Sequence, residues 1–310
     1  MQTRIRGVLA PVVTPFKADL SPDPQRFVAH CRWLISQNAG LAFFGTNSEA
    51  NSLSLSERLA LMDALLESGI PPARMMPGTG CCALPDSFEL TKKAVAAGCS
   101  GVLMLPPFFY KNVSDDGLFR SYSEVIQRVG DERLRIYLYH IPPVAQVPIT
   151  ATLIERLLKA YPKTVAGIKD SSGEWNHTAM LLENFQSADF DVFCGSEVFL
   201  LQTLRGGGAG SITATGNVNP AMIHELICHW QSADADARQA RIIEIRRAFE
   251  TLPLISSLKA AIAWKRNDAQ WREVRPPLVS ASAEKARALE EKLAELGFDM
   301  PDINRQEGAD

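Results

Sequence analysis

Eight times between residue 8 and about residue 232, a short apolar run rich in branched and aromatic side chains is followed by a longer run of helical period. That alternation restricts the fold more than any other feature, because parallel strands need a crossover and a helix is the usual one. The strand-like runs are residues 8–13, 41–44, 75–76, 101–105, 135–139, 165–169, 192–194 and 211–213. The helical runs are residues 24–37, 56–67, 88–97, 118–129, 153–160, 175–185, 199–204 and 221–230. Ser54 and Glu57 stand in the spacing of a capping box before the second helix, each able to satisfy the other's backbone N–H.

Crossovers of this kind are right-handed, so eight of them close naturally into an α/β fold of the (β/α)8 TIM-barrel type. An open doubly wound sheet is the rival. It normally carries G-x-G-x-x-G after its first strand, where this chain has Thr14-Pro15-Phe16. Residues 237–250, 253–264 and 283–296 read as further helices. The expected organisation is a barrel over residues 1–232 and a C-terminal helical appendage over residues 233–310, packed on the barrel or at a subunit interface.

A chain of 310 residues can bury a large core without staples. With 32 Lys and Arg against 35 Asp and Glu, the formal charge of −3 lacks the basic excess of a nucleic-acid scaffold, yet leaves room for a local anion site. No apolar run reaches the roughly 18 residues of a membrane helix, and Pro11 and Pro15 break the first apolar stretch. Neither a spanning segment nor a signal peptide is expected. Cys31, Cys81, Cys82, Cys99, Cys194 and Cys228 form no C-x-x-C pair, and most are expected to be small apolar fillers. That usage suits a reducing, cytoplasmic location.

In a barrel, reactive groups come from the C-terminal ends of strands and the loops that follow. That rule selects Thr14, the segment Gly45-Thr46-Asn47-Ser48-Glu49, Gly78-Thr79, residues 107–110, Tyr139-His140, Lys169-Asp170, Gly195-Ser196-Glu197 and Thr213. Lys169 closes an apolar run, so its ammonium emerges into the barrel mouth. Desolvation there favours the neutral amine that a Schiff-base nucleophile requires. A strand-end lysine can equally snorkel to solvent or pair with Asp170.

Tyr139 ends the neighbouring strand. Its phenol could shuttle a proton to a substrate oxygen, or simply pack. Residues 45–49 offer the hydroxyls of Thr46 and Ser48, the Asn47 amide and backbone N–H groups able to hold a carboxylate. The same residues can be a plain strand-to-helix turn. The glycine-rich run at 205–210 precedes the eighth strand-like run, which puts it at the barrel bottom as a tight turn and not as a phosphate cradle. His140, His177, His224 and His229 show no metal-like spacing, so no metal is expected.

Taken in order, these segments resemble the dihydrodipicolinate synthase / N-acetylneuraminate lyase family of class I aldolases. Residues 7–16 look like its opening strand, Gly45-Thr-Asn-Ser-Glu49 matches its G-T-T-G-E loop in part, and Pro106-Pro-Phe-Phe-Tyr-Lys111 resembles its aromatic segment. Tyr139-His-Ile-Pro142 is similar to Y-N-x-P, Gly167-Ile-Lys-Asp170 to G-[IV]-K-[DE], and Cys194-Gly195 and Gly210-Ser-Ile-Thr213 fit the last strand ends.

The resemblance implies that Lys169 forms an imine with the keto carbon of pyruvate or a related 2-oxo acid, needing no other cofactor. It implies that Tyr139 is the proton shuttle with Thr46 as its relay, and that an aromatic residue, Tyr110 or its rival Phe109, enters from a neighbouring subunit of a homotetramer built as a dimer of dimers. Backbone groups of Thr46 and Asn47 would bind the substrate carboxylate, with Gly195 and the Ile212 carbonyl lining the pocket. The chain departs from the tetrahydrodipicolinate-forming synthases at Val144, where they carry an arginine that grips the aldehyde's carboxylate.

The expectation is therefore a lyase joining or splitting a 2-oxo acid and an aldehyde. The alternatives are a dehydratase acting on a 2-oxo-3-deoxy sugar acid through the same imine, or a barrel that binds 2-oxo acids without turnover.

Overall fold

The alternation is realised in the computed structural model, which describes residues 4–187 and 189–304. The chain runs β1 (Gly7–Ala10), α1 (Pro24–Ser36), β2 (Gly40–Leu41), α2 (Leu55–Glu67), α3 (Leu84–Ala96), β3 (Val102–Met104) and α4 (Asp115–Val129). It continues through β4 (Ile136–His140), α5 (Pro142–Ala145), α6 (Ala151–Ala160), β5 (Val165–Asp170), α7 (Trp175–Phe185) and β6 (Asp191–Cys194). Then follow α8 (Leu200–Arg205), β7 (Gly210–Ile212), α9 (Pro220–Cys228), α10 (Ala235–Phe249), α11 (Leu254–Arg266) and α12 (Ala283–Glu295). The caps are those the residues favour. Asp23 accepts from the Arg26 N–H ahead of Pro24, and Ser54 and Glu57 close the anticipated capping box on α2.

All seven strands pair in parallel, in the order β2-β1-β7-β6-β5-β4-β3. Eight strands are expected from the sequence, and the third of them, residues 75–76, is present only as single bridges: Leu41 with Met75, and Gly78 with Leu103. The physical reason is Pro77, which carries no N–H for a ladder and so interrupts a regular strand. The segment still joins the two sheet edges. Met76 N–H donates to the Leu41 carbonyl at 2.8 Å, and Leu103 N–H donates to the Pro77 carbonyl at 2.9 Å.

Two apolar clusters follow from the period-2 geometry of strands. One lies inside the ring and contains Leu9, Met76, Leu103, Tyr137, Tyr139 and Phe193; the other packs the outer strand faces against the helices. Tyr137 fills the ring beneath the strand ends, and the room for it comes from Gly167. A Cβ there would stand 2.7 Å from the Tyr137 ring and 2.4 Å from the Asp191 carbonyl. The glycine-rich turn after α8 leads into β7, as its position in the sequence implies.

The cysteines divide. Cys31, Cys99 and Cys194 are buried fillers, but Cys82 and Cys228 are exposed and Cys81 is half-buried, so the expectation holds for three of the six. At the C-terminus α10 packs on α8 and α9, and α11 on α10 and α12. Residues 305–310, the end of the expected appendage, lie outside the described residues.

Candidate active site

Parallel register puts paired residues on one face of a sheet, and Tyr139 on β4 is paired with Lys169 on β5. An irregularity in the ladder between Ile136 and Tyr137 sets that register. Both side chains are almost fully buried, and the Lys169 Nζ lies 4.2 Å from the centre of the Tyr139 ring. No carboxylate pairs with Lys169 among the described residues. Asp170, next along the strand, points to the opposite face. Its Oδ1 accepts from the Ser172 N–H at 3.0 Å and its Oδ2 from the Thr178 hydroxyl at 2.6 Å. Neither the snorkelled lysine nor the Lys169–Asp170 pair is what the chain adopts.

The Tyr139 hydroxyl is 3.2 Å from Thr46 Oγ1, which brings the anticipated lysine, tyrosine and threonine together at one end of the ring. Thr46–Ser48 is a single 3-10 turn. The first residues of such a turn have N–H groups that the turn itself cannot satisfy. Ser48 does not face the same space. It is fully buried, its Oγ accepts from the Gly45 N–H at 3.2 Å, and its carbonyl accepts from the Thr14 hydroxyl at 2.7 Å. Ser48 and Thr14 build the loop that presents Thr46 and Asn47.

Glu49 ends that loop in the left-handed region at φ 54°. Its carboxylate is held by the ammonium of Lys259 on α11 and, at 2.8 Å, by the Arg275 N–H. Both charged side chains are buried. Burial pulls the Lys259 ammonium below the usual lysine range, and the Glu49 charge opposes that pull. Lys259 carries a signal of its own in the sequence, as a lone lysine inside the helical run at 254–264.

A cavity of about 590 Å³ opens above Lys169. Thr46, Asn47, Tyr139, Lys169 and Gly195 line its inner end, and a Cβ on Gly195 would stand 2.7 Å from the Asp170 carbonyl, which is why a glycine sits there. Ile212 is buried inside the ring and Tyr110 is 74 % exposed beside Phe109, so in this single chain neither is among the residues that line the cavity. The lining also includes residues the sequence reading did not single out: Ile141, Phe199, Arg246, Leu254, Leu278 and Val279. Most come from α10, α11 and the stretch after α11. Only tertiary packing brings those segments to the mouth.

Arg246 does not stand alone. Its Nη1 donates to the buried Glu197 carboxylate at 3.1 Å and its Nε to Glu250 at 2.7 Å. Glu197 also accepts from the hydroxyls of Thr213 and Thr215.

One histidine expectation needs correcting. The sequence shows no metal-like grouping, yet ligand-capable atoms of His140, Asp170 and His177 lie within 4.8 Å of one another. They come from β4, β5 and α7, a proximity no local spacing could reveal. The grouping does not suit an ion. The His140 and His177 rings stack at 4.4 Å and 11°, so their in-plane lone pairs run along parallel planes and do not converge at the roughly 2 Å a metal requires. His140 Nδ1 also accepts from the Ile149 N–H at 3.0 Å. Burial, aided by His177, pushes His140 down to about 4. Burial disfavours the Asp170 charge, but contacts from His177 at 3.2 Å and from Thr178 outweigh it and hold the carboxyl below its ordinary value.

The chain is similar to known proteins over most of its length. The sequence profile of the Dihydrodipicolinate synthetase family matches residues 4–296. An "Uncharacterized DapA-like lyase" of Chloroflexus aurantiacus is 32 % identical over 287 residues, covering 92 % of this chain and 94 % of the relative. The crystal structure of dihydrodipicolinate synthase from Agrobacterium tumefaciens superposes with a TM-score of 0.86 at 32 % identity, covering 94 % of this chain and 99 % of that one. YagE of E. coli K12, solved in complex with pyruvate, superposes with a TM-score of 0.87 at 26 % identity over 96 % of this chain and all of the other. The chain is a lyase of the dihydrodipicolinate synthetase family.

Proposed function

We propose that the protein is a Schiff-base lyase that joins or splits a 2-oxo acid, pyruvate in the first instance, and an aldehyde. The reading rests on one observation above the rest: Lys169, Tyr139 and Thr46 meet at the same end of the ring, with no carboxylate paired to the lysine among the described residues. The Lys169 amine attacks the keto carbon, the carbinolamine loses its hydroxyl as water with a proton from Tyr139, and an imine remains. The Tyr139 oxygen, having given its proton to the departing water, takes a C3 proton and leaves an enamine. Its carbon bonds to the aldehyde carbon while Tyr139, relayed through Thr46, protonates the aldehyde oxygen, and water then releases the product. Cleavage runs the same steps backwards, and no further cofactor takes part.

The N–H groups of Thr46 and Asn47, at the start of their turn, suit the acid's carboxylate, with Gly195 lining the same cavity. Ser48 and Ile212 act by shaping the walls, Ser48 through the loop and Ile212 through the ring interior. The exposure of Tyr110 and Phe109 on the loop after β3 suits insertion into a neighbouring subunit of a homotetramer, a dimer of dimers. The division assigned is a barrel over residues 1–232 and a C-terminal helical region over residues 233–310, a reading supported by Arg246, Leu254, Leu278 and Val279 standing at the cavity mouth. The protein acts in the cytoplasm, on small molecules and not on nucleic acid or membrane. No helix among the described residues is long and apolar enough to cross a bilayer.

The test is borohydride reduction in the presence of pyruvate. A mass adduct is expected on Lys169 and none on Lys169→Ala; a folded wild-type protein without the adduct overturns the proposal. Product analysis separates it from dehydration through the same imine: pyruvate plus an aldehyde in one case, a 2,5-dioxo acid in the other.

A further inference from the structure

The outer part of the cavity speaks to the second substrate, on the reading that Lys169 takes the 2-oxo acid. A three-carbon acid at the inner end leaves most of the 590 Å³ unfilled. The large apolar side chains of the lining are Ile141, Val144, Phe199, Leu254, Leu278 and Val279, with the hydroxyls of Ser171, Ser196 and Ser256 between them. Three of these, Val144, Leu278 and Val279, are also among the few large apolar side chains exposed in the described residues, at 60 %, 39 % and 78 %. Half of the exposed large apolar residues thus gather at the mouth of one cavity, the pattern expected of a surface that an apolar ligand covers.

The charges of the lining point the same way. Besides Lys169 the charged residues are Asp170, whose carboxylate turns to the other face of β5, and Arg246. The Asp170 oxygens are occupied by Ser172, Thr178 and His177, and Arg246 is bracketed by the carboxylates of Glu197 and Glu250. An anionic aldehyde therefore meets no uncompensated cation, and position 144 supplies a valine where a guanidinium fork would be needed. A polyhydroxylated aldehyde finds the hydroxyls of Ser171 and Ser196, of which Ser196 already accepts from the Val198 N–H at 3.4 Å, but any hydroxyl set against the large apolar side chains loses its water without a partner. The nearby Ser256 hydroxyl already donates to the Val279 carbonyl at 2.8 Å, where it tethers the apolar rim.

We infer that the second substrate is an aldehyde bearing an apolar aliphatic or aromatic group, seated against Val144, Phe199, Leu278 and Val279. The experiment measures kcat/KM for condensation with pyruvate of isovaleraldehyde, benzaldehyde, D-glyceraldehyde and succinic semialdehyde. At least one apolar aldehyde should exceed both polar ones by about tenfold or more, the scale set by one or two methylene contacts in a pocket. Val144→Asp, a change at an exposed position, should narrow that ratio by about tenfold. The inference is overturned if glyceraldehyde or succinic semialdehyde equals or surpasses the apolar pair, or if Val144→Asp leaves the ratio unchanged. Borohydride trapping of pyruvate, run alongside, keeps the two failures apart. Trapping without the preference overturns the apolar class alone, whereas no trapping on Lys169 overturns the lysine chemistry and this inference with it.

Discussion

Replacing Lys259 by methionine tests how the loop bearing Thr46 is held. The lysine is fully buried on α11, with its ammonium on the Glu49 carboxylate, 2.6 Å from the Glu273 carbonyl and 4.5 Å from the centre of the Phe16 ring. Methionine fills a similar volume, so little of the cost is cavity. What remains is a Glu49 carboxylate without its cation in a site sealed from water. Removing one partner of such a pair costs about 3–5 kcal/mol, far more than any surface ion pair. Glu49→Gln in the same chain removes the stranded charge while its amide oxygen can still accept from the Arg275 N–H. The double variant should recover at least about 2 kcal/mol of the loss, a coupling well outside the additivity of independent sites. Urea unfolding read by both circular dichroism and tryptophan fluorescence measures this, with coincident transitions as the two-state check. A single-variant loss below about 1 kcal/mol, or a double variant no more stable than the single, refutes the argument.

Other outcomes follow from the same distances. Tyr139→Phe removes the hydroxyl that lies 3.2 Å from Thr46, and kcat should fall about 10²–10⁴-fold; steady-state assay with an unchanged melting temperature checks it. Gly167→Ala drives a Cβ to 2.4 Å from the Asp191 carbonyl and should destabilise the barrel by about 1–3 kcal/mol in thermal or denaturant unfolding. His140 is held at about 4 against 6.5 in the unfolded chain, so its contribution is complete above about 6.5 and is lost as pH falls toward 4. The gap corresponds to about 3 kcal/mol, and the acid slope of stability should flatten in His140→Asn. Tyr110→Ala should weaken self-association about tenfold or more, read by sedimentation, because truncating a buried aromatic anchor often costs over 1 kcal/mol.

The order of strands and helices was legible in the residues because each element's period, caps and breakers are local. Residues 175–185 and the Ser54–Glu57 capping box could be read directly, since a helix face or an N-cap depends on neighbours within a turn. The weak third strand was also visible as weak, because Pro77 announces a missing donor. Lys169, Tyr139 and Thr46 could be nominated from strand ends, for the barrel rule converts position in a repeat into position in space. Their meeting could not be, because it depends on the register between β4 and β5.

Tertiary structure alone decided the rest. Ser48 turned inward to brace its loop, and His140, Asp170 and His177 came together from three elements. Lys259 found Glu49 across a separation of 210 residues. The apolar mouth of the cavity, with Leu278 and Val279 set near Val144, is likewise a product of packing and not of pattern. The physical reason is the same throughout. Local sequence determines which way a side chain leaves its own backbone, but what it meets there is set by the register and packing of segments far along the chain.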